Sequence, residues 1–522
     1  MSSMFQKLWV ELFYHPFSLV ALLFVILYFY KSHFFKHASK KNLPPSPPKL
    51  PIIGNLHQLG HLPHHSLHSL SQRHGKLMLF YFGNKPTLVV SSADGAREIF
   101  KTHDTIFSSR PHSHINDVIF NGSKDVAFSP YGEYWRNMRS ICVIHILSLK
   151  KVQSFQKIRE TQVSSMVEKI KRCDSLSEVN MSEILTTYTN DVISLASFDR
   201  KYSSHQDGDV DLMKLVDEGM KLLGATCVGD FVPWLSWVDR LTGLEGRLQN
   251  VANHFHNFFD KVIQQHQNRL SIDDQIIDDN ELNNSVNVQN FLDILLQLQR
   301  ENKDVLTIDS IKAVILDMFM AGTDTSYTLM EWTIVELMRH PRVMKKLQDE
   351  IRKSVENKNR RTVSEDNLED LIYLKAVIKE SLRMHPPGPL LMLREALEDV
   401  KINGFDISQG TQVIVNAWAI QRDPSFWEEP DEFRPERFIN NTSFDFKGKD
   451  FNFIPFGAGR RGCPGISFSV TSAEFVLANL MYHFDWKFPD GIDLHTLDMT
   501  EIPGLTVRRR DPLMLIATPY SS

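Results

Sequence analysis

The sequence has few cysteines, no evident linker and no concentration of basic charge. Four cysteines occur in 522 residues, none in a Cys-x-x-Cys pair, which argues against a disulfide framework or a structural zinc site and favours a reducing compartment. No repeat, low-complexity run or Gly/Ser-rich linker divides the chain after about residue 52, so one large catalytic unit is predicted. Basic residues are scattered in a chain of net charge −5, and this distribution excludes nucleic acid as the main partner.

One segment near the N-terminus contains no Lys, Arg, Asp or Glu. It covers residues 12–30, and as a helix rising about 1.5 Å per residue it would be roughly 28 Å long, close to the thickness of a bilayer's hydrocarbon core. A merely interfacial helix and a cleaved signal peptide are the alternatives, but no small-x-small cleavage site follows. Four lysines follow within residues 31–41, and positive charge favours the cytosolic side. We predict that residues 1–42 form a single-pass anchor with a basic flank, whose partner is membrane lipid.

A proline-rich stretch follows the predicted anchor. Five prolines occur in residues 43–51. Proline fixes φ and lacks an N–H donor, so this stretch should be stiff and extended. Its position predicts a hinge, residues 43–52, between the membrane and a folded domain of residues 53–522.

Hydrophobic periodicity predicts a mainly α fold with a small β part. Alternating runs predict strands at residues 77–82, 87–91, 400–402 and 412–415. Apolar residues at three-to-four spacing predict helices at residues 212–223, 251–270, 307–340, 343–355, 368–384 and 466–483. The helix at 307–340 exceeds the usual globular length, so we expect it to cross the core.

A glycine-rich loop carries a single cysteine. In Phe456-Gly-Ala-Gly-Arg-Arg-Gly-Cys463-Pro-Gly465 the glycines permit positive φ and close approach of a flat ligand, and the arginines can bind carboxylates. The same stretch satisfies the dinucleotide-binding pattern Gly-x-Gly-x-x-Gly, with Asp485 downstream. That alternative needs a buried strand before the loop and a parallel sheet after it, but Pro455 precedes the loop and too little chain follows. An ordinary buried cysteine would leave the glycines and arginines unexplained.

Small and polar residues interrupt the middle of the longest predicted helix, in Ala321-Gly-Thr-Asp-Thr-Ser326. Such residues weaken a helix or indicate close packing, since hydroxyls can bond back to the preceding turn. Opposite a bound cofactor, a gap in the helix hydrogen bonds could hold water, and Asp324 and Thr325 could relay protons. Alone the segment favours packing; together with the cysteine loop it favours a proton relay.

These two motifs resemble those of the cytochrome P450 family. The loop matches the signature Phe-x-x-Gly-x-Arg-x-Cys-x-Gly at every fixed position, and residues 321–326 match Ala/Gly-Gly-x-Asp/Glu-Thr-Thr/Ser. The likeness extends over essentially the whole chain and is nearest to plant microsomal monooxygenases of the A type, similar to the 71 clan. It implies the cytochrome P450 fold, with a long central helix and a haem-thiolate loop.

The resemblance also implies roles for individual residues. Cys463 is expected to be the metal ligand of haem b, with Phe456 and Arg461 binding the cofactor, and Asp324 and Thr325 are expected to be catalytic. Trp135-x-x-x-Arg139 and Arg394 resemble positions at which the family binds the haem propionates. Glu380-x-x-Arg383 is expected to meet Arg437 in a buried structural triad.

The implied activity is insertion of one oxygen atom of O2 into a hydrophobic small molecule, with electrons from NADPH delivered by a separate reductase. Terpenoid, phenylpropanoid or coumarin-like, and amino-acid-derived substrates all remain open. The implied location is the endoplasmic reticulum membrane, with the catalytic domain facing the cytosol. The family's pocket segments correspond to residues 108–120, 212–228, 317–325, 388–393 and 503–507, in which Asp317 is either a pocket contact or a packing charge.

Two alternatives remain open at this point. A same-fold isomerase or dehydratase would need neither O2 nor a reductase, but such enzymes often lack the acid–alcohol pair that Asp324 and Thr325 supply. A non-enzymatic haem sensor or electron carrier would need the cysteine loop but no proton relay.

Overall fold

The computed structural model describes residues 20–26, 28, 41–174, 177–202, 211–276, 289–302, 305–357, 362–439, 444–490 and 497–520. The fold is built mainly from α-helices. In chain order they are α1 (Pro63–His74), α2 (Ala93–Arg97), α3 (His114–Ile119), α4 (Glu133–Ile141), α5 (Leu149–Ser154), α6 (Gln156–Lys171), α7 (Met181–Phe198), α8 (Leu212–Leu223), α9 (Val228–Phe231), α10 (Trp237–Leu241), α11 (Leu244–Ile276), α12 (Phe291–Glu301), α13 (Ile308–Arg339), α14 (Pro341–Asn357), α15 (Ile372–Met384), α16 (Ala417–Ile420) and α17 (Ile466–His483).

The long central helix, α13, begins and ends for local reasons. The hydroxyl of Thr307 caps it by accepting the N–H of Ser310. It ends at Arg339 because Pro341 disfavours helical geometry at the residue before it, and α14 then starts at the proline itself. The helix prediction at 307–340 is thus confirmed to within one residue at each end.

The other helix predictions are confirmed except at one boundary. Helices α8 and α17 have the predicted bounds, and α11 and α14 contain the predicted segments. The prediction that a helix starts at residue 368 is wrong, because Glu365–Asp370 form a separate 3-10 helix and α15 starts at Ile372. Ser364 and Asn367 cap that short helix in a capping box, and Leu371, with ψ 77°, interrupts the chain between the two helices.

Within the described residues, the strands form one main sheet and three small ones. The main sheet has the order β1 (Leu77–Phe82), β2 (Lys85–Val90), β7 (Gln412–Val415) and β4 (Arg394–Glu395). The β2–β7 pair is parallel and the other two pairs are antiparallel. The small sheets are β3 (Glu178–Asn180) with β11 (Met514–Pro519) and β8 (Phe484–Lys487), β5 (Val400–Ile402) with β6 (Phe405–Ile407), and β9 (Glu501–Ile502) with β10 (Arg508–Arg509). Three predicted strands have the observed bounds, whereas the strand predicted at 87–91 runs from 85 to 90.

The N-terminal region is described only in part. Residues 20–26 are helical and expose their apolar side chains, for example Phe24 at 62%; most of the predicted anchor lies outside the described residues. No helix within the described residues is long and apolar enough to cross a bilayer. Residues 41–49 have no regular secondary structure. They lie along the domain, where the N–H of Leu79 donates to the carbonyl of Pro45 over 2.8 Å.

A buried ion triad fixes α15 against the chain that precedes the cysteine loop. Arg383 donates to both carboxylate oxygens of Glu380, over 2.7 and 2.9 Å, and Arg437 donates to one of them over 3.0 Å. Glu380 and Arg383 are completely buried. The predicted structural triad is confirmed.

Candidate active site

The cysteine loop is a tight turn that leads directly into α17. The N–H of Cys463 donates to the carbonyl of Phe456, and the N–H of Gly462 to that of Gly459, both over 3.0 Å. Gly459 has a φ of +71°, and a Cβ there would lie 2.5 Å from a carboxylate oxygen of Asp104, so only glycine fits. A turn rather than a strand precedes the loop, which removes the structural context that dinucleotide binding requires.

Cys463 differs from the buried cysteines in being accessible. Burial raises the pKa of the Cys142 and Cys227 thiols to about 12, so neither can ionise at neutral pH. Cys463 is exposed. The surrounding protein raises the pKa of its thiol by desolvation, while the N–H of Gly465 and the guanidinium of Arg139 act in the opposite direction. An accessible thiol beside a cation suits a metal-binding thiolate.

The central helix is partly exposed at its small-residue segment. Helix α13 is buried along most of its length, yet Ala321 is exposed and Gly322 and Thr325 are partly exposed. The Thr325 hydroxyl donates to the Ala321 carbonyl over 2.6 Å. The helix is continuous through the segment, so the suggested gap in its hydrogen bonds is not observed: the hydroxyl bonds back to the helix without interrupting it. The acceptor lone pairs of the hydroxyl remain free to bond a water or ligand.

The two motifs lie side by side. The Ser326 hydroxyl donates to that of Ser469 over 3.0 Å, which joins the small-residue segment to the first turn of α17. On the other side of the loop, the side chain of Leu391 lies 3.8 Å from where a Cβ on Gly457 would be. Ala321 is exposed in the middle of a helix whose other residues are mostly buried, and α17 begins three residues after Cys463. The cysteine loop and the small-residue segment therefore both adjoin the first turn of α17.

A cluster of four guanidinium groups lies beside the cysteine loop. Its members are Arg110, Arg139, Arg394 and Arg461, which act on one another electrostatically. Desolvation lowers the pKa of Arg394 to about 10, and desolvation with repulsion from Arg394 lowers that of Arg461 to about 9. The acids beside the cluster are Asp104 and Asp125. Buried cations in excess over buried anions fit a ligand that carries carboxylates.

The predicted cofactor-binding residues already bond to the backbone around that cluster. Arg461 donates to three carbonyls, those of residues 108, 126 and 129, and Arg139 donates to the carbonyl of Gly462. Arg394 donates to the carbonyls of residues 107 and 458. Trp135 stacks 4.0 Å from the Arg461 guanidinium, and its indole N–H donates to residue 126. The partly exposed Phe456 ring packs edge-on against Phe446.

The sequence prediction missed Arg110. It is buried and donates to the carbonyls of residues 127, 392 and 393. Its only local signal is the Arg-Pro pair it forms with Pro111, which does not identify a buried cation.

Asp324 is held by a cation from β10. Its side chain is 7% exposed and lies 3.2 Å from Nε of Arg508. Burial raises the pKa of Asp324, while Arg508 and Thr506 oppose that rise. Arg508 also donates to Asp217 of α8 over 3.1 Å. Arg508 was not predicted, because nothing in the run Arg508-Arg509-Arg510 distinguishes the arginine that contacts Asp324.

The five predicted pocket segments meet. Arg110 ties the first segment to the fourth through the carbonyls of residues 392 and 393. A Cβ on Gly224 would lie 3.0 Å from the backbone of Leu505, which brings the segment after α8 against residues 503–507. A Cβ on Gly219 of α8 would lie 2.8 Å from the side chain of Met320 of α13, and α8 also contacts α3 of the first segment. Partly exposed side chains in these segments include the apolar residues Val118, Leu223, Leu391 and Leu505.

Asp317 is a packing charge. It is buried, and one of its carboxylate oxygens accepts the N–H of Val126 over 2.6 Å. Burial and the neighbouring Asp125 raise the pKa of its carboxyl, and burial raises that of Asp125 to about 6. This carboxyl pair fixes the loop beneath the arginine cluster.

Comparison with known proteins agrees with this geometry. The family model described as "Cytochrome P450" matches residues 44–516. The chain is 49% identical to cytochrome P450 736A117 of Prunus mume, over 97% of this chain and 96% of that protein. It is 46% identical to norfluorocurarine oxidase of Strychnos, over 97% of this chain and 99% of that protein. A zebrafish cytochrome P450 solved with abiraterone superposes with a TM-score of 0.72 at 26% identity, covering 89% of this chain and all of that one.

The accessible thiol, the adjacent guanidinium cluster and the open face of α13 fit a haem, the cofactor implied by the family. Together with matches over nearly the full length of plant relatives, they show that the chain belongs to the cytochrome P450 family and is a monooxygenase of the plant A type.

Proposed function

We propose that this chain inserts one oxygen atom of O2 into a hydrophobic small molecule of plant specialised metabolism, with electrons from NADPH supplied by a separate reductase. The observation that carries the proposal is the arrangement of Asp324 and Thr325 on α13. The alcohol is partly exposed at the open face of the helix, and the acid beside it is buried and bound to Arg508. A haem without proton-handling residues would suffice for electron transfer, so this pair favours oxygen activation.

Haem held by the Cys463 thiolate would supply the oxygen-activating chemistry, because thiolate ligation favours O–O cleavage. The arginine cluster would bind the carboxylates of that cofactor and fix its orientation. Thr325 can hold a water at the open face of the helix, since its own hydrogen is used by the Ala321 carbonyl. Asp324 can take up and release protons from the buried side, because its raised pKa brings its titration towards neutral pH.

The pocket supports a hydrophobic substrate. Partly exposed residues of segments 388–393 and 503–507 include the aliphatic Leu390, Leu391 and Leu505, and the buried carboxyl of Asp317 is bonded to the backbone. The relative named norfluorocurarine oxidase acts, by its name, on a plant compound, which is consistent with specialised metabolism. Terpenoid, phenylpropanoid or coumarin-like compounds are the substrate classes we propose to test first.

A ligand screen followed by a Thr325→Ala variant tests the proposal. Purified holoprotein is screened for substrate-induced shifts of the haem absorption against plant metabolites, and hits are incubated with NADPH and reductase. In Thr325→Ala, folding and haem content should persist because alanine favours the helix. Product formed per NADPH should fall while peroxide rises. An unchanged ratio of product to NADPH in the variant would contradict the proposal. Product formation by the wild type without O2 and reductase would also contradict it, and would indicate the same-fold isomerase or dehydratase.

We also propose that the chain is anchored in the endoplasmic reticulum membrane with its catalytic domain in the cytosol. Residues 20–26 support an anchor, since they are helical and their apolar side chains are exposed. Sequons of the form Asn-x-Ser/Thr begin at Asn121, Asn180, Asn283, Asn440 and Asn441, and all five should remain unglycosylated in plant cells because the cytosol lacks the transferase. Glycosidase-sensitive mass would place the domain in the lumen instead.

A further inference from the structure

Two neighbouring histidines at the start of α1 meet a carboxylate on β9, away from the haem-binding residues. Nε2 of His64 lies 3.0 Å from Oε2 of Glu501, and Nε2 of His65 lies 3.6 Å from the same oxygen. The possible ligand atoms of these three side chains all lie within 4.8 Å of one another. His64 is buried and His65 is 46% exposed, so an ion from solvent could approach along His65.

A hydrogen bond explains one of the two contacts to Glu501. The distance from His64 to Glu501 is that of a hydrogen bond, but 3.6 Å is too long for one. Zinc bond lengths of about 2.0–2.2 Å place two ligands of a tetrahedral ion roughly 3.3–3.5 Å apart. The two observed separations bracket that value. Two imidazoles and one carboxylate are, in addition, a ligand set with which zinc retains an open fourth position.

The surrounding residues fix the two imidazoles. Trp418 packs against the ring of His65 with centroids 4.4 Å apart and against that of His64 at 5.5 Å. The Asn416 amide donates to the backbone carbonyl of His64 over 2.8 Å. Such support reduces the cost of ordering ligands when a metal binds.

The titratable and charged groups around His65 are His64, His68, Arg422 and Glu501. Arg422 is the cation that opposes a bound metal. It stacks on Trp418 at 4.4 Å and lies 3.6 Å from the carboxylate of Asp431, which offsets part of its charge.

We propose that His64, His65 and Glu501 form a binding site for a divalent transition metal such as Zn²⁺. A bound ion would join α1 to the β9–β10 hairpin. Because Arg508 of β10 contacts Asp324, the ion would also restrain the strand that carries this contact.

Isothermal titration of untagged holoprotein with ZnCl2 at pH 7.5, after chelator treatment and dialysis, tests the site. We expect one equivalent of Zn²⁺ to bind to the wild type. His65→Ala and Glu501→Gln should each weaken binding by at least about tenfold, because each removes a direct ligand. His65 is half exposed, so its replacement should leave folding intact even if loss of Glu501 does not. His254→Ala is the matched control, since this exposed histidine on α11 lies outside the cluster and its loss should not change the affinity.

Three outcomes would overturn the proposal: no stoichiometric binding to the wild type, unchanged affinity in His65→Ala, or an equal loss in His254→Ala.

Discussion

Replacing Arg508 by methionine tests whether a cation from β10 controls the protonation of Asp324. The two side chains are 3.2 Å apart, with 29% of Arg508 and 7% of Asp324 exposed. Two unit charges about 4 Å apart interact by roughly 4 kcal/mol at an effective dielectric constant near 20. Because Arg508 is partly solvated and shared with Asp217, we retain about a third to a half of that energy. At about 1.36 kcal/mol per unit, the pKa of Asp324 should rise by roughly one unit in Arg508→Met.

The direction of the pH dependence follows from that shift. Asp324 already has a raised pKa, and loss of the cation raises it further. If the carboxylate form must accept protons during turnover, activity is present above the pKa and is lost as the pH falls through it. In a plot of product formation against pH, the low-pH limb (the acid limb) should therefore move to higher pH by about one unit in Arg508→Met. The measurement is product, peroxide and NADPH across pH, with a ligand identified by the spectral screen.

Two variants control for a general effect of substitution. Arg508→Lys keeps the charge and should retain an acid limb near that of the wild type. Asp217→Asn removes the acid that competes for Arg508, so it should move the limb to lower pH. An acid limb in Arg508→Met that coincides with the wild type would refute the reasoning, as would shifts of the same sign in Arg508→Met and Asp217→Asn.

Two further substitutions address the cofactor ligand and the fold. Cys463→Ser should abolish the strongly red-shifted absorption of the reduced, carbon monoxide-treated protein, because a neutral hydroxyl cannot replace a thiolate; a variant that keeps the band would exclude Cys463 as ligand. Glu380→Gln should lower the free energy of unfolding by about 3–5 kcal/mol, since it leaves the completely buried Arg383 without its carboxylate. An unchanged midpoint of urea unfolding in the holoprotein would show that the triad contributes little to stability.

The sequence alone predicted the elements whose signals are local. Helix α13 was predicted to within one residue at each end because Thr307 caps it and Pro341 follows its end, and both are visible in the sequence. The start of α15 was predicted wrongly because the local pattern of apolar residues is misleading there. The apolar spacing continues through Leu368, and only the pairing of Ser364 with Asn367 shows that a separate short helix lies there.

Partners that come from distant parts of the chain could not be predicted. Arg110 and Arg508 look like surface cations in the sequence, since burial of an arginine depends on which carbonyls and carboxylates the fold brings to it. Asp317 shows the reverse case. The family resemblance left it open as either a pocket contact or a packing charge, and only its hydrogen bond with the N–H of Val126 decides between them.

The small-residue segment of α13 satisfies a structural and a chemical requirement with the same atoms. A threonine in a helix interior ordinarily lowers helix propensity. The Thr325 hydroxyl donates to the Ala321 carbonyl, and that bond orients its lone pairs. Gly322 lies against Ile193 with little room for a larger side chain, and Ala321 leaves the open face unobstructed. The acid next to Thr325 points the other way, to Arg508. The adjacent side chains of Asp324 and Thr325 thus have different partners, Arg508 and the Ala321 carbonyl. Under the proposed roles, changing Arg508 should therefore alter the pH dependence of turnover without changing what Thr325 contacts.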